Sequence, residues 1–373
     1  MKILELTNFS AGICGVWQRV KQESELLSKI SNNILVVSSN ATKGNNERAP
    51  EKESINGFNI IRKPYTKIGG ESFMFWNFEK EALDFKPDII IAHSYRHPHT
   101  TRAIKIAKKL NKHGINTKVF LVTHAPFERE RGVLKNLIVY LYDILIGRNT
   151  LNQFDKILTI TKWEMPYLEK LGVKKEKIRY IPNGIPKEFF ELKKQAKEEN
   201  KVLFLGRVSP IKNIETLIKA FSLIKNKKII LEIVGPREEE YYNKINKLIS
   251  ELNFNKRVIF SPPIYDIKEK IRKIDSAKIF ILPSISEGMS QSLIETMSRE
   301  KIVIASNNLG NKDLIENGKD GYLFEVGNEK DLAEKINISL ENNIKNRKIK
   351  NEAKKSVEKF SWDKIIKELE RLF

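Results

Sequence analysis

Short apolar runs rich in isoleucine, valine and leucine recur along the whole chain and alternate with longer segments in which apolar residues repeat at helical spacing. Continuous runs of this kind, bounded by glycine, proline, asparagine or serine, are typical of strands buried on both faces of a parallel sheet. They predict strands at 2–7, 33–39, 58–63, 88–94, 118–124, 156–161 and 179–183, and again at 201–206, 229–235, 258–263, 279–284, 302–306 and 322–326.

The segments between these runs predict helices, such as IETLIKAFSLIK at 214–225 and EYYNKINKLISELN at 240–253. Repeated strand–helix alternation predicts parallel sheets with right-handed crossovers. A Lys/Glu-rich stretch around 187–200 separates two such series, so we expect an α/β protein with two Rossmann-like, doubly wound domains, 1–184 and 185–359. Ligands of such folds bind at the carboxyl ends of the strands, which predicts a site near the cleft between the domains.

Composition narrows the class of protein. The chain has 373 residues and one cysteine, Cys14, which excludes a disulfide scaffold and a cysteine-based metal site. No run of about 18 apolar residues is present, and the N-terminus enters the first strand without a signal-peptide pattern, so we expect a cytoplasmic protein. The formal net charge of +20 predicts an anionic partner, although lysine-rich surfaces also arise without one.

Part of this charge is concentrated in the first half of the chain. Residues 89–127 contain no carboxylate but hold all five histidines and several lysines and arginines. The most apolar helical run follows at 137–147, and its flanking cations are Arg129, Arg131, Lys135 and Arg148. Together these features predict peripheral contact with the inner face of a membrane through 96–118 and 129–148. The alternative, which we favour for the apolar run, is a helix in the core of the first domain.

The strongest candidate for chemistry is the segment PSISEGMSQSLIETMS at 283–298. A buried strand is predicted to end at Pro283, and a helix to begin near Ser290 after a polar turn. Glu287 and Glu295 are eight positions apart, which on a helix is about 12 Å and too far for paired glycosidase carboxylates. The two acids must therefore have different roles. The backbone N–H groups between them suit an anionic or hydroxyl-rich ligand.

A second strand-to-helix junction, FLGRVSPIKN at 204–213, carries two cations. Gly206 ends the predicted strand and Arg207 follows it directly. Ser209 is predicted to cap the next helix, so that Lys212 lies in its first turn. An arginine and a lysine beside the positive end of a helix are suited to binding a diphosphate. The alternative is an ordinary junction with two solvated cations.

A third junction, SAGICGVWQRV at 10–20, follows the first strand. Gly12 and Gly15 are positions where the backbone could approach a ligand, and Gly15 is predicted to open a helix. The spacing differs from the dinucleotide fingerprint G-x-G-x-x-G, and no acidic residue follows where that fingerprint requires one. This pattern gains weight only in combination with the other two junctions.

Taken together, these segments resemble the retaining glycosyltransferase family 4, which has the GT-B fold. The resemblance covers nearly the whole chain and is centred on the E-x7-E spacing of Glu287 and Glu295. Supporting segments are GRVSPIKN, IPNG at 181–184, IVG at 233–235 and ENGKDGYLFEVGNEKDLAEKI at 316–336. The resemblance implies that the C-terminal helix, within 360–373, crosses back to the first domain.

The resemblance also implies roles for individual residues. Arg207 and Lys212 would hold the donor diphosphate, and Glu295 would bond the nucleotide ribose. Glu287 and His124 would face the transferred sugar, which makes these two, with Arg207 and Lys212, the catalytic candidates. The other donor-side positions are Gly15, Gly235, Gly288, Met289 and Ser290, and the candidates for the acceptor side or the cleft are His93 and Asn183.

The implied reaction is transfer, with retention, from a nucleotide-diphosphate sugar to an acceptor hydroxyl in glycolipid, lipid-linked glycan or polysaccharide synthesis. Protein cations would stabilise the leaving diphosphate, and no DxD-type element stands beside a strand, so neither a metal nor a cofactor is expected. Ser290 stands where many members have glycine, which leaves the donor base and sugar open. The acceptor, whether lipid-linked or otherwise anionic, is open as well.

Three alternatives remain at this stage. One is another GT-B enzyme, such as a sugar-nucleotide epimerase or a glycosyl phosphorylase. Another is a non-catalytic GT-B binding protein, which the presence of Glu287, Glu295, Arg207 and Lys212 disfavours. The third is a nucleic-acid-binding protein that uses the net charge. Since no basic motif interleaved with aromatic residues is present, we expect no nucleic-acid partner.

Overall fold

The computed structural model describes residues 1–30, 32–44, 46–127, 132–191, 193, 196–341 and 344–373. Over these residues the chain forms two compact units. The first comprises Met1–Asn183 together with Ile365–Phe373, and the second comprises Gly184–Lys364. Each unit is a parallel sheet covered by helices, so the predicted α/β class with two Rossmann-like domains is confirmed.

The first unit is built on a sheet in which the described strands have the order β10-β9-β8-β7-β1-β2-β4-β3. The strands are β1 (Lys2–Phe9), β2 (Asn33–Ser39), β3 (Lys52–Ile55), β4 (Phe58–Lys63), β7 (Ile89–His93), β8 (Lys118–Val122), β9 (Lys156–Thr159) and β10 (Ile178–Tyr180), with a separate hairpin of β5 (Tyr65–Lys67) and β6 (Met74–Trp76). Strand β3 is antiparallel to β4 and the others are parallel. The order reverses between β1 and β7, and a ligand site is expected at such a switch point.

The helices of the first unit are α1 (Gly15–Lys29), α2 (Glu79–Phe85), α3 (Pro98–Lys112), α4 (Val133–Tyr142), α5 (Arg148–Leu151) and α6 (Glu164–Lys170). All residues of β7, and all of β1 after Lys2, are buried. Burial on both faces explains why these strands are continuous apolar runs. The C-terminal residues pack here as well: the ring of Phe373 lies 6.3 Å from that of Phe120, centroid to centroid.

The second unit has a parallel sheet whose described strands have the order β13-β12-β11-β14-β15-β16. The strands are β11 (Lys201–Leu205), β12 (Ile230–Val234), β13 (Val258–Ser261), β14 (Ile279–Leu282), β15 (Ile302–Ser306) and β16 (Tyr322–Phe324). The helices are α7 (Ile214–Leu223), α8 (Glu239–Glu251), α9 (Ile267–Ser276), α10 (Gln291–Ser298), α11 (Leu309–Lys312), α12 (Glu329–Leu340) and α13 (Ile344–Val357). The C-terminal helix α14 (Trp362–Glu370) begins in this unit and belongs to the first unit from Ile365 onwards. The order reverses between β11 and β14, which places the switch point between these two strands.

Strands β3, β5 and β6 were missed by the sequence pattern for a physical reason. Strand β3 is exposed over Lys52–Ser54 and pairs only at the sheet edge, so it needs no apolar run. Strands β5 and β6 have three residues each, which is too short for an alternation to be recognised.

The favoured interpretation of the apolar run 137–147 as a core helix is wrong. Helix α4 and the wider, π-type turn that follows it, Asp143–Gly147, lie at the surface. Exposed apolar side chains include those of Leu137, Ile138, Leu141, Ile144, Leu145 and Ile146. Of the flanking cations, Arg129 and Arg131 lie outside the described residues, as does the side chain of Lys135. We call the exposed group at 137–146 the apolar surface of the first unit.

Candidate active site

Two loops meet at the switch point of the second unit. One follows β11 and contains a single 3₁₀ turn, Pro210–Lys212, and the other follows β14 and leads to α10. The backbone N–H of Ile285 donates to the carbonyl of Ile211 at 2.9 Å, which joins the loops directly. Carboxyl ends of neighbouring parallel strands lie at one edge of the sheet, and so Lys212 and Glu287 come together despite 75 residues of separation.

The centre of this site is an ion pair. Lys212 Nζ lies 2.5 Å from Glu287 Oε1, and the hydroxyl of Ser284 donates to the same oxygen at 2.5 Å. The side chains of Lys212 and Glu287 are 20% and 12% exposed, so the pair is largely shielded from water but still open to a ligand. In such a setting a charged group is held in one position and interacts more strongly than at a fully exposed surface.

The Glu287 loop is braced from behind by the start of α11. A Cβ on Gly310 would lie 2.3 Å from the carbonyl oxygens of both Glu287 and Gly288, so only glycine fits there. Asn308 caps α11 through the backbone N–H of Asn311 and donates its amide to the Ser284 carbonyl at 3.0 Å. The position of the loop that carries Glu287 is therefore fixed by packing and hydrogen bonds from the start of α11.

The predicted helix start at Ser209 is wrong. Ser209 makes no side-chain cap bond, and the turn it precedes ends at Asn213, whose left-handed backbone (φ +49°) interrupts the helix before α7 begins at Ile214. The Ser209 carbonyl instead accepts the Lys212 N–H at 2.9 Å, which closes the 3₁₀ turn. Lys212 therefore lies just before the helix rather than in its first turn.

Arg207 lies beside a second close backbone contact. A Cβ on Gly235 would be 2.1 Å from the carbonyl oxygen of Gly206, so the glycine at 235 is needed for packing of the two loops. The guanidinium of Arg207 is 3.7 Å from Glu238, and both side chains are substantially exposed. A pair of this kind contributes little to stability, so the Arg207 side chain is able to turn towards an anion at small cost.

Helix α10 places the remaining donor-side residues. The helix begins next to Ser290, as predicted, and Ser290 caps it by accepting the Leu293 N–H, while Met289 is largely buried. Glu295 is 5% exposed and is paired with Lys270 of α9, whose Nζ lies 2.5 Å from its Oε2. The structure thus brings Lys212, Glu287 and Ser290 together at one sheet edge and places Glu295 farther along the helix.

In the first unit, two predicted histidines are in contact. His93 ends β7 and His124 follows β8, and His93 Nδ1 lies 2.9 Å from His124 Nε2. The other ring nitrogen of His93 is 2.7 Å from Oε2 of Glu5, in the middle of β1. His93 is fully buried, which lowers its pKa to about 3 and keeps the ring neutral. The His93 ring therefore lies behind His124 and supports it, which differs from its predicted contact with an acceptor.

Asn183 is also drawn into buried structure. Its side-chain oxygen accepts a bond of 3.0 Å from Nη1 of Arg19, which also donates to the carbonyl of Ile181. Arg19 and Glu23, four residues apart on α1, form a buried ion pair of 3.0 Å. Asn183 is only 8% exposed, so it has little accessible surface with which to contact an acceptor as predicted.

The glycines of the third junction have separate roles. Gly12 has a left-handed backbone (φ +79°), and a Cβ there would lie 2.2 Å from the Lys43 carbonyl oxygen, so it is required for packing. Gly15 opens α1, as predicted, and no described heavy atom lies within 4 Å of a Cβ built on it. Of these two glycines, therefore, only Gly15 borders open space where a ligand would fit.

The carboxylate-free segment is partly neutralised by residues from elsewhere in the first unit. Arg96 forms two bonds to Asp143, of 2.8 and 2.5 Å, while Arg102 and Lys109 both pair with Glu79. Among the described residues no carboxylate pairs with Lys105, Lys108 or Lys112. The cations of this segment that have no carboxylate partner among the described residues are therefore fewer than the sequence suggested.

Sequence reasoning missed several residues of the site. Glu5 gives the clearest signal, since it is a carboxylate inside an otherwise apolar strand, and Arg19 and Glu23 have the i, i+4 spacing of a helical ion pair. Ser284 stands three residues before Glu287. Lys270 has no signal, because only the fold brings α9 beside α10. Among the described residues no group of three or more His, Cys, Asp or Glu side chains is arranged to hold a metal ion.

Two doubly wound parallel sheets, each with candidate site residues at its switch point, are the architecture of the GT-B fold. The chain is a glycosyltransferase, because two glycosyltransferase family models together match residues 15–356. Residues 15–189 match the family described as Glycosyltransferase Family 4, and residues 186–356 match Glycosyl transferases group 1.

Relatives agree with this assignment. The chain is 28% identical over 314 residues to an uncharacterized glycosyltransferase, MJ1069, of Methanocaldococcus jannaschii, covering 80% of this chain and 77% of the relative. It is 26% identical over 319 residues to a Campylobacter jejuni α-1,4-N-acetyl-D-galactosaminyltransferase that acts on a diphosphoundecaprenol-linked glycan, covering 82% and 81%.

Solved structures share the fold. The sucrose-phosphate synthase of Thermosynechococcus elongatus superposes with a TM-score of 0.78 at 20% identity, covering 100% of this chain and 98% of that one. Anabaena HepE, crystallised with UDP and glucose, superposes with a TM-score of 0.75 at 17% identity, covering 100% and 98%. At these identities the likeness concerns the fold alone.

Proposed function

We propose that this glycosyltransferase moves a sugar, with retention of anomeric configuration and without a metal, from a nucleotide-diphosphate sugar to an acceptor hydroxyl. The observation that carries the proposal is the ion pair of Lys212 and Glu287 at the switch point of the second unit, 2.5 Å long and joined by Ser284. A cation fixed beside the N-terminus of α10 is where a diphosphate would be stabilised.

In the proposed reaction the acceptor oxygen bonds to the anomeric carbon while the bond from that carbon to the diphosphate oxygen breaks. The acceptor proton passes to the departing phosphate oxygen, so no separate general base is required. Lys212 and Arg207 would neutralise the charge that develops on the leaving group. Glu287 would hold Lys212 in place and contact a sugar hydroxyl, and Glu295 would bond the ribose.

The proposal is tested first by donor binding, since a ligand that binds only the folded state raises the unfolding temperature. UDP-sugars are screened beside GDP-, ADP- and dTDP-sugars, with UDP first because HepE, a neighbour in fold, was crystallised with it. We expect one nucleotide class to stabilise the wild type and not Lys212→Ala. No stabilisation by any of them would contradict the proposal.

For the acceptor, we propose an anionic or lipid-linked hydroxyl compound at the inner face of a membrane. Support comes from the apolar surface of the first unit, where Ile138 and Leu145 are 56% and 70% exposed. Asp143 anchors this segment from its polar side by accepting bonds from Tyr95 and Arg96. Among the described residues no helix has the length and hydropathy to cross a bilayer, so contact would be peripheral.

Two of the curated relatives are consistent with such acceptors. The Campylobacter jejuni enzyme acts on an undecaprenol-linked glycan, and a Staphylococcus aureus relative acts on poly(ribitol-phosphate). We expect the wild type to sediment with vesicles containing anionic lipid, and Leu145→Glu to sediment several-fold less. Ile344→Glu, at an equally exposed isoleucine of the second unit, is the matched control. Equal sedimentation of all three proteins would refute membrane contact through this surface.

A further inference from the structure

A row of buried polar side chains crosses the first unit and ends at His124. It begins with the ion pair of Arg19 and Glu23 on α1, continues through Glu5 on β1 and His93 on β7, and reaches His124 after β8. The first four side chains are fully buried. Burial of charged and polar groups lowers the stability of a protein unless each group is bonded. A row of this length in a core is therefore expected to serve a function.

The proton positions along this row follow from the chemistry of each contact. Arg19 Nε donates to Glu23 Oε2, which makes Glu23 the ionised acid of the pair. Among the described residues no hydrogen bond reaches Oε1 of Glu5, and burial raises the pKa of this acid to about 8. Since Arg19 pairs with only one of these two buried acids, Glu23, we assign a proton to Oε1 of Glu5.

The remaining oxygen of Glu5 then acts as an acceptor. It takes the Nε2–H of the neutral His93 ring, over the 2.7 Å contact. The Nδ1 atom of His93 is left with a lone pair, which accepts the Nε2–H of His124 over 2.9 Å. His124 thus donates to His93, and His93 donates to Glu5, while Arg19 neutralises the neighbouring Glu23.

The backbone of His124 is constrained as tightly as its ring. His124 and Ala125 both have left-handed backbones, at φ +60° and +51°, which is uncommon for two successive residues other than glycine. The Ala125 N–H is held by the buried carboxylate of Glu164 at 2.8 Å. His99 fixes the neighbouring strand end by donating to the His93 carbonyl at 2.8 Å. Strained backbone of this kind is found where a side chain is held for function.

We propose that Glu5 and His93 are positioning residues for His124, which fix its ring through the hydrogen bond at Nε2 and so orient it for contact with a hydroxyl group of the substrate. The substrate part of this inference rests on the proposed function. The proton arrangement does not, because it follows from contacts within the first unit.

The arrangement is tested by nuclear magnetic resonance of protein labelled with ¹⁵N in its histidines. We expect His93 and His124 to be protonated on Nε2, and the His124 Nε2–H to be visible because its hydrogen bond slows exchange. His93→Gln retains an amide donor for Glu5 and a carbonyl acceptor for His124, so the signal should persist. It should vanish in His93→Leu. A proton on Nδ1 of His93, or a His124 signal unchanged in His93→Leu, would refute the proposal.

A second pair of variants keeps the test decisive if His93→Leu does not fold. Glu5→Gln mimics the protonated acid, with an oxygen for His93 and an amide in place of the protonated oxygen, and should leave the His124 signal in place. Glu5→Leu should remove it. His113→Gln, at an exposed histidine outside the row, assigns one resonance and should change nothing else. Loss of the His124 signal in Glu5→Gln would contradict the assigned protonation.

Activity provides the readout for positioning. We expect His93→Leu to lower kcat by roughly 100-fold, the order expected from a misplaced group, with nucleotide binding unchanged because Arg207, Lys212 and Glu295 lie in the second unit. His93→Gln should restore most of the rate. Equal loss in both variants would refute positioning. Absence of sugar transfer by the wild type would instead refute the proposed function, while the resonance data would still decide the proton arrangement.

Discussion

Lys212 Nζ and Glu287 Oε1 are 2.5 Å apart although 75 residues separate them in the chain. The contact exists because β11 and β14 are neighbours at the point where the strand order of the second unit reverses. One residue comes from a 3₁₀ turn and the other from a loop, and neither loop would hold its side chain without the other. The predictions below start from this pair.

Removal of the Lys212 ammonium group is expected to abolish transfer while the fold persists. Lys212→Ala should lower kcat by about 100-fold or more, because stabilisation of the leaving diphosphate would be lost. Lys219→Ala, at an exposed lysine of α7, is the matched control and should behave as the wild type. Rates are measured as donor consumed in the presence of acceptor. Wild-type turnover by Lys212→Ala would remove this residue from the mechanism.

A methyl group at position 310 should disturb the Glu287 loop. A Cβ there would lie 2.3 Å from two carbonyl oxygens, so the loop must move. We expect Gly310→Ala to lower the free energy of unfolding by about 1–3 kcal/mol and to lose activity together with it. Gly70→Ala, where no described atom lies within 4 Å of a Cβ, is the control for denaturant unfolding. An active and fully stable Gly310→Ala protein would show that the loop does not depend on this contact.

Gly15→Ala separates a ligand contact from a packing role. No described atom lies within 4 Å of a Cβ at this position, so the unfolding temperature should stay close to that of the wild type. If the donor diphosphate approaches the start of α1, the added methyl group should raise KM for the donor severalfold. Unchanged KM would exclude Gly15 from the donor site, whereas a large loss of stability would contradict the open space seen there.

Stability should decline with pH because of Glu5. Its carboxyl group has a usual pKa of 4.5, which is raised to about 8 in the folded chain by burial. Between these values the folded state binds more protons than the unfolded state. The free energy of unfolding therefore falls as pH rises, by up to about 1.4 kcal/mol per pH unit for one proton. The groups that face Glu5 are Glu23 and Arg19 from α1 and His93 from β7.

These neighbours modify the profile in known directions. Burial also raises the pKa of Glu23, which adds to the decline. The pKa of His93 is lowered from 6.5 to about 3, so the folded state binds fewer protons between those values and stability there rises with pH. Above pH 6.5 the contribution of His93 no longer changes with pH, which leaves the decline caused by Glu5 up to about pH 8. Denaturant unfolding of Glu5→Gln in that window should give a shallower slope than the wild type, and parallel slopes would refute the assignment.

Much of the fold was predictable from the sequence because buried parallel strands are continuous apolar runs. Strands such as β2 and β15 were predicted with their observed bounds. The apolar run 137–147 shows the limit of this reasoning, since hydropathy alone does not distinguish a core helix from one with an exposed apolar surface. What decides is the tertiary anchor, Asp143 bound by Tyr95 and Arg96, which no local pattern reveals.

The candidate site was predictable only where it follows strand ends. Lys212 and Glu287 stand in the loops that follow β11 and β14, so topology alone brings these loops to one edge. The partners that hold the site, such as Lys270 and Gly310, come from elements whose placement depends on the whole unit. His93 was recognised as a strand-end residue, but its burial against Glu5 required the register of β1 and β7.

The central claim is retaining transfer from a nucleotide-diphosphate sugar, and the most direct measurement follows the anomeric configuration of the first product. With the donor found in the thermal screen, water serves as a slow acceptor, and proton magnetic resonance records the released sugar before it equilibrates. In the presence of EDTA the first sugar released should have the configuration of the donor, and Lys212→Ala should release none. Release of the opposite anomer would contradict the account.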